Sequence, residues 1–445
     1  MKIIRQGTAA FEKELSRLAS RQVLISGQVR SSVEKILSDV ARRGDAAVFD
    51  YTRRFDGVRL TPKSLVVPAA DLRKAYRKID PVLRRSLETA ARRIRAYHEK
   101  QRRSSWWFSD REGANLGLRF SPLDAVCLYV PGGKASYPST LLMTSIPAKV
   151  AGVKDIYVAS PGASLDSNPV LLAAAYVAGV TRVFRVGGAQ AVGAFAYGTK
   201  SIPAVNKIVG PGNAYVAEAK RQVFGRVGID QLAGPSEIVV VADRFADPTE
   251  TAWDLLSQAE HDELATSVLF TDDAELAASV STRVLALARL SPRWKILQKS
   301  LEQFGRIFVL KNLSAAPGFV DRLAPEHVEL YVRSPAPFAK AIKAAGAIFL
   351  GSDTPEAVGD YIAGSNHVLP TGGAARFGSP LGVDDFLRKT SFVEFSPKAL
   401  RALGPSIVRL AQAEGLPAHA GSVAVRLVGR LRKAPPKKSK GKKSR

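Results

Sequence analysis

The chain has 445 residues, 46% hydrophobic and 24% charged, the balance of a soluble globular protein long enough for several domains. Its single cysteine, Cys127, excludes an intrachain disulfide framework and any cysteine-rich zinc or iron–sulfur site; a metal has to rely on His, Asp, Glu or Gln, and only five histidines exist: His98, His261, His327, His367 and His419. The net charge is +25, which keeps polyanion binding among the possibilities.

The N-terminal stretch MKIIRQGTAAFEKEL breaks into charge too early to hold a signal-peptide apolar core. The longest apolar run, Val170 to Val180, is far short of the roughly 20 residues of a membrane helix. Cytoplasmic residence is the expectation. After a short element over 1–30, Val33, Ile36, Leu37 and Val40 predict a helix from Ser31 that Gly44 stops. A second helix is predicted from Pro81 to about Arg103. From Ala125 the period changes. Apolar runs at 125–130, 156–159, 183–186, 238–242, 267–270, 307–310 and 347–350 read as buried strands with helical stretches between them. That alternation predicts an α/β fold with largely parallel sheets, in two units over 122–235 and 236–381. A helical region over 382–431 follows. The tail from Arg432 to Arg445 carries eight Lys or Arg, Pro435–Pro436 and no apolar period. It is expected to be disordered and solubilising, with at most weak association with nucleic acid.

Four segments carry candidate chemistry. In DPTETAWDLLSQAEHDE (247–263), Asp247, Pro248 and Glu250 predict a capped helix start. Gln258 and His261 lie three residues apart on that helix, a pair able to ligate zinc or a harder divalent ion, though such a pair is commonly just a polar face. In RLAPEHVELYV (322–332), Glu326 and His327 are adjacent before a strand-like run, two proton acceptors of different pKa. In AVGDYIAGSNHVLPTGG (357–373), Asp360 and His367 sit among glycines that mark close backbone approach. In AEGLPAHAGSV (413–423), Glu414 and His419 flank a turn. Glycine-bearing loops at YVPGGKASYPST (129–140), VGGAQAVGAFAYG (186–198) and GPGNAYVAEAK (210–220) follow strands, where amide groups suit phosphate, yet none is a GxGxxG fingerprint. The turn GPSE (234–237) offers Ser236 to a ligand.

Together YVPGG, YPST, IPAKVAGV, VGGAQAV, KIVGPGNAYVAEAKRQV, AGPSEI, LLSQAEHD, APEHVEL, GDYIAGSNHVLPTGG and EGLPAHAGSV, in this order from Tyr129 to Val423, resemble the histidinol dehydrogenase family. The resemblance implies two Rossmann-like α/β domains with small N- and C-terminal extensions. The first domain would comprise 31–121 and 236–381, interrupted by an inserted NAD-binding domain over 122–235. Residues 1–30 would form the N-terminal extension, and 382–431 would be exchanged between the chains of a homodimer. It further implies zinc ligands Gln258, His261, Asp360 and His419, one zinc per subunit, with His419 coming from the partner. Glu326 and His327 would be the catalytic proton acceptors. Ser236, Gln258, His261, His327, Asp360, Glu414 and His419 would touch the substrate, and Tyr129, Gln190 and Asn213 would touch NAD. No role is assigned to His367. The implied reaction takes L-histidinol through the aldehyde to L-histidine with two NAD. His327 would accept the hydroxyl proton and Glu326 would activate water, since Cys127, inside an apolar strand, reads as core rather than nucleophile. A paralogous enzyme acting on another polyol or a sulfonated diol is the alternative; Glu414 and Ser236, suited to ammonium and imidazole N–H groups, argue against it.

Overall fold

The structure, a computed structural model, describes residues 1–21, 26–132 and 137–431. The basic tail expected to be disordered, and residues 133–136 of the YVPGGKASYPST loop, lie outside the described residues. In chain order the strands are β1 (Lys2–Arg5), β2 (Trp106–Ser109), β3 (Ala114–Pro122), β4 (Ala125–Tyr129), β5 (Asp155–Ala159), β6 (Arg182–Phe184), β7 (Lys207–Val209), β8 (Gly228–Ile229), β9 (Glu237–Ala242), β10 (Thr266–Thr271), β11 (Gly305–Val309), β12 (His327–Tyr331), β13 (Ala347–Leu350) and β14 (Leu387–Phe395).

Two compact units result. One contains residues Met1–Arg102 and Pro122–Phe386; the other contains Arg103–Ser121 and, among the described residues, 387–431. The first unit holds two α/β sheets, as the alternation of strands and helices predicts. The larger runs β1-β11-β10-β9-β12-β13, the smaller β6-β5-β4-β7-β8, and every pairing in both is parallel.

The apolar runs exist because parallel strands are covered on both faces. In the larger sheet Val239, Val241, Val268, Phe270, Val328 and Leu330 pack on one side with Phe11, Leu15 and Leu18. Their neighbours Ile238, Val240, Leu269 and Ile307 pack on the other, against Leu255 and Leu256. Each such side chain contributes about 1.5–3 kcal/mol when fully buried. The N-terminal stretch is part of this body: β1 pairs with β11 at the sheet edge. The helix Gly27–Arg43, grouped by sequence with 236–381, puts Val33, Ile36, Leu37 and Val40 into the core of the smaller sheet. It starts ahead of Ser31, with Ser26 as its cap, and stops at Gly44 as expected. The second predicted helix runs Pro81–Glu99, ending before Arg103.

The second unit is a three-stranded sheet in the order β14-β3-β2, with β2 and β3 antiparallel, and the helices Pro397–Ala413 and Pro417–Leu431. It leaves Trp106, Trp107, Phe108, Val393, Leu410, Val425 and Val428 exposed.

Candidate active site

The catalytic pair enters the larger sheet through a bend. The helix Ala316–Leu323 ends at Ala324, whose φ of 47° is the one left-handed non-glycine conformation among the described residues. That geometry costs about 1–2 kcal/mol and turns the chain so that Glu326 precedes, and His327 begins, β12. Alternation along β12 sends Val328 and Leu330 to one face and His327 and Glu329 to the other, level with Ile238 and Val240 of β9. The helix Pro248–Ala259 lies on that face.

This helix begins as the sequence predicts: Asp247 accepts hydrogen bonds from the amides of Thr249 (2.7 Å) and Glu250 (3.0 Å), with Pro248 at the first position. The Glu250 carboxylate takes the Tyr331 hydroxyl, however, rather than closing the expected capping box. At the other end the prediction needs a correction. The helix stops at Ala259, and His261 sits in the following turn, its amide donating to the Gln258 carbonyl (3.2 Å). The turn still keeps the two side chains together, with Gln258 Nε2 3.4 Å from His261 Nδ1.

His327 is held from one side. Its Nδ1 lies 2.9 Å from Gln258 Oε1 and 3.2 Å from the Glu237 carbonyl oxygen. Both are acceptors, so Nδ1 carries the hydrogen and Nε2 is left as a bare lone pair, buried and without a protein partner. Burial pulls the imidazole pKa down to about 4 against the opposing pull of Asp360, so the ring is neutral. Glu326 is buried beside it, Oε2 3.8 Å from His327 Nδ1 and accepting from the Glu237 amide at 3.2 Å. Burial, then the charges of Glu356 and Glu237, push its carboxyl well above the ordinary range.

Sequence reasoning missed most of the surrounding acid. Glu356 Oε1 lies 3.6 Å from His327 Nδ1, and its Oε2 accepts from Ser257 (3.2 Å). Glu329 accepts from the Glu356 amide. Burial raises Glu356 and Glu329 well above the ordinary range, Glu237 to about 7 and Asp254 to about 6. Two signals were available. Glu356 and Asp360 are four apart on the helix Glu356–Tyr361, and Glu329 interrupts an otherwise apolar strand. Ligand atoms of His327, Glu356 and Asp360 lie within 4.8 Å of one another, with Gln258 and His261 adjoining through His327. Crowded, buried carboxylates, with Glu356 Oε1 among the orphaned atoms, fit a divalent cation, and the imidazole of His261, the carboxylate of Asp360 and the amide oxygen of Gln258 are a mixture that suits zinc. Ser236 is half-buried directly before β9.

The predicted NAD contacts collect elsewhere, at the C-terminal edge of the smaller sheet. Tyr129 ends β4, and its buried hydroxyl accepts from the Gly188 amide (3.0 Å), burial raising its pKa to about 12. Gln190 follows in the helix Gly188–Tyr197, 1% exposed, with both carboxamide heteroatoms unpartnered. Asn213 caps the helix Ala214–Val223, accepting from the Tyr215 (3.0 Å) and Val216 (3.1 Å) amides. In this sheet β4, β5 and β6 run outward one way and β7 and β8 the other. Tyr129 and Asn213 therefore flank the switch point, where open α/β sheets bind ligands.

His367 connects the two regions. Its Nδ1 donates to the Asp360 carbonyl (3.0 Å), so its Nε2 accepts from the Thr140 hydroxyl (3.2 Å), on the helix Pro138–Ala151 that follows the β4 loop. His98, by contrast, is a core residue bonded to the Ile94 carbonyl. Glu414 and His419 belong to the second unit and are exposed there.

Comparison with known proteins bears on this site. The histidinol dehydrogenase family profile matches residues 19–427. Histidinol dehydrogenase of Aquifex aeolicus is 51% identical over 95% of this chain and 98% of its own length. That of Rhizobium meliloti is 48% identical over 94% and 96%. The crystal structure of histidinol dehydrogenase from Elizabethkingia anophelis superposes with a TM-score of 0.90 at 34% identity, covering 97% of this chain and 99% of that one. With the match covering nearly the whole chain in sequence and in fold, the chain belongs to the histidinol dehydrogenase family.

Proposed function

We propose that this chain oxidises L-histidinol to L-histidine by two hydride transfers through L-histidinaldehyde, consuming two NAD and one water, at a zinc centre shared between two copies of the chain. Enzymes of this family are NAD-dependent zinc oxidoreductases acting on an alcohol carbon. The alternative of a different polyol substrate draws no support from relatives at half identity that carry the histidinol dehydrogenase name.

The carrying observation is the state of His327: neutral, its Nδ1–H committed to acceptors and its Nε2 bare. In the first step Nε2 accepts the hydroxyl proton of histidinol while hydride leaves the carbinol carbon for nicotinamide, giving the aldehyde. In the second, Glu326, when ionised, takes a proton from water as the oxygen adds to the aldehyde carbon, and the His327 imidazolium left by the first step returns its proton to the aldehyde oxygen, so the ring is neutral again. The resulting gem-diol loses hydride to a second NAD, with His327 again receiving the hydroxyl proton. Bound zinc supplies a fixed positive charge and a template for the substrate nitrogens. Gln258, His261 and Asp360 would hold it, with His419 from the second copy. Support for the sharing comes from the second unit, where Glu414 and His419 are exposed beside apolar side chains that a partner would cover.

Two experiments test this. The zinc-loaded protein yields about two NADH per histidinol, and Glu326→Gln impairs aldehyde oxidation more than alcohol oxidation; one NADH with accumulating aldehyde overturns the two-step reading. Co-refolded His419→Ala and His261→Ala chains, each nearly inactive alone, recover about half the wild-type activity per heterodimer. Heterodimers that form and stay inactive place His419 in its own chain's site.

A further inference from the structure

Strand β7 hands the chain to the turn Gly210–Asn213, and the backbone of Gly210 is gripped on both sides of its Cα. Its N–H donates to Asp230 Oδ2 (2.7 Å), its carbonyl accepts from Lys220 Nζ (2.9 Å), and Lys220 and Asp230 are ion-paired with each other. The two side chains are 2% and 4% exposed. Lys220 comes from the helix that the turn begins, and Asp230 follows the edge strand β8. Gly210 has φ +111°, and a Cβ there would stand 2.2 Å from the Tyr129 carbonyl oxygen. The grip therefore also holds the turn against the end of β4.

A buried ion pair is a poor means of stabilising a core, because desolvating both charges cancels much of their attraction. Apolar side chains of similar volume commonly serve the core as well. What an apolar pair cannot do is hold at once the N–H and the carbonyl that flank one Cα, on two successive peptide units. We propose that the Lys220–Asp230 pair is a positioning device for the dinucleotide: it fixes the Gly210 backbone and with it the turn that carries Asn213 to NAD. This rests on the reading of Asn213 as an NAD contact.

The test is isothermal titration of the zinc-loaded, full-length protein with NAD, alongside melting temperature and zinc content. The variants are Lys220→Met combined with Asp230→Leu, and Asn213→Ala. The double variant is expected to melt within a few degrees of wild type and keep its zinc, yet bind NAD at least tenfold more weakly, as does Asn213→Ala. If the folded double variant binds NAD within twofold of wild type while Asn213→Ala does not, the pair has no positioning role. If both bind NAD as wild type does, the turn is not the NAD site and the inference falls with that reading. Should the double variant not fold, Asp230→Glu decides: it keeps the charge pair but displaces the Gly210 amide, and a folded Asp230→Glu protein with wild-type NAD affinity overturns the proposal.

Discussion

Replacing Thr140 by valine removes one hydroxyl and almost no volume. Thr140 is 3% exposed and its hydroxyl donates to His367 Nε2 at 3.2 Å. The β-branched shape is kept, so no cavity opens; the loss is the hydrogen bond to a partly buried imidazole nitrogen. An unsatisfied buried acceptor costs about 1–3 kcal/mol. Because His367 Nδ1 is bonded to the Asp360 carbonyl, the imidazole can relieve that cost only by loosening its hold on a proposed zinc ligand. If the whole cost reaches the transition state, kcat/KM for histidinol at saturating NAD drops about 5- to 150-fold. The assay is a double-mutant cycle over wild type, Thr140→Val, His367→Asn and the double variant, with Thr140→Ser as a control that keeps the hydroxyl. A coupling energy of about 1–2 kcal/mol is expected, with Thr140→Ser close to wild type. Additive effects within about 0.5 kcal/mol, or a serine variant as poor as the valine one, refute the link between the two regions.

Four further outcomes can be checked. His327, with its pKa lowered to about 4, stays neutral throughout the working range, so the alcohol step shows no acid limb attributable to it above about pH 5; a limb near 6.5 that disappears in His327→Asn contradicts the assignment. The sign for stability is also set. The unfolded chain binds this proton first, so the residue's contribution falls as pH drops from about 6.5 towards 4, by up to about 3 kcal/mol, and His327→Asn flattens that part of the acid-denaturation curve. Gly210→Ala forces a methyl to within 2.2 Å of a backbone oxygen at a positive φ, so NAD affinity measured by titration drops at least tenfold; wild-type affinity means the turn moves freely. Deleting residues 434–445, which offer no apolar period to bury, leaves turnover within twofold, and a tenfold loss shows that the tail reaches the site.

Much of this was readable in the chain itself. Runs such as EIVVVA and TSVLFT are buried at every position, and continuous apolar segments separated by helices have few ways to be satisfied other than parallel sheets. The Asp247–Pro248 start is local chemistry and appears as written. Glu326, His327, Gln258, His261 and Asp360 could be named because their motifs stand in an unbroken order along the chain. Tertiary structure decided the rest. Strands as short as β7 and β8, which no predicted run covers, cannot show a period. Nothing local says that Val33 and Val40 belong to the smaller sheet, because an amphipathic face specifies burial and not its partner. Local pattern hints at Glu329 and Glu356 but does not say that they, out of the chain's 40 acidic residues, meet in the interior. Glu237 looks like an ordinary surface carboxylate until β9, β12 and the helix Glu356–Tyr361 bring the three together, since the cost of burying a charge depends on what surrounds it in space. The same holds for the bare Nε2 of His327: which ring nitrogen carries the proton is set by two acceptors, 69 and 90 residues away along the chain, that only the fold places beside it.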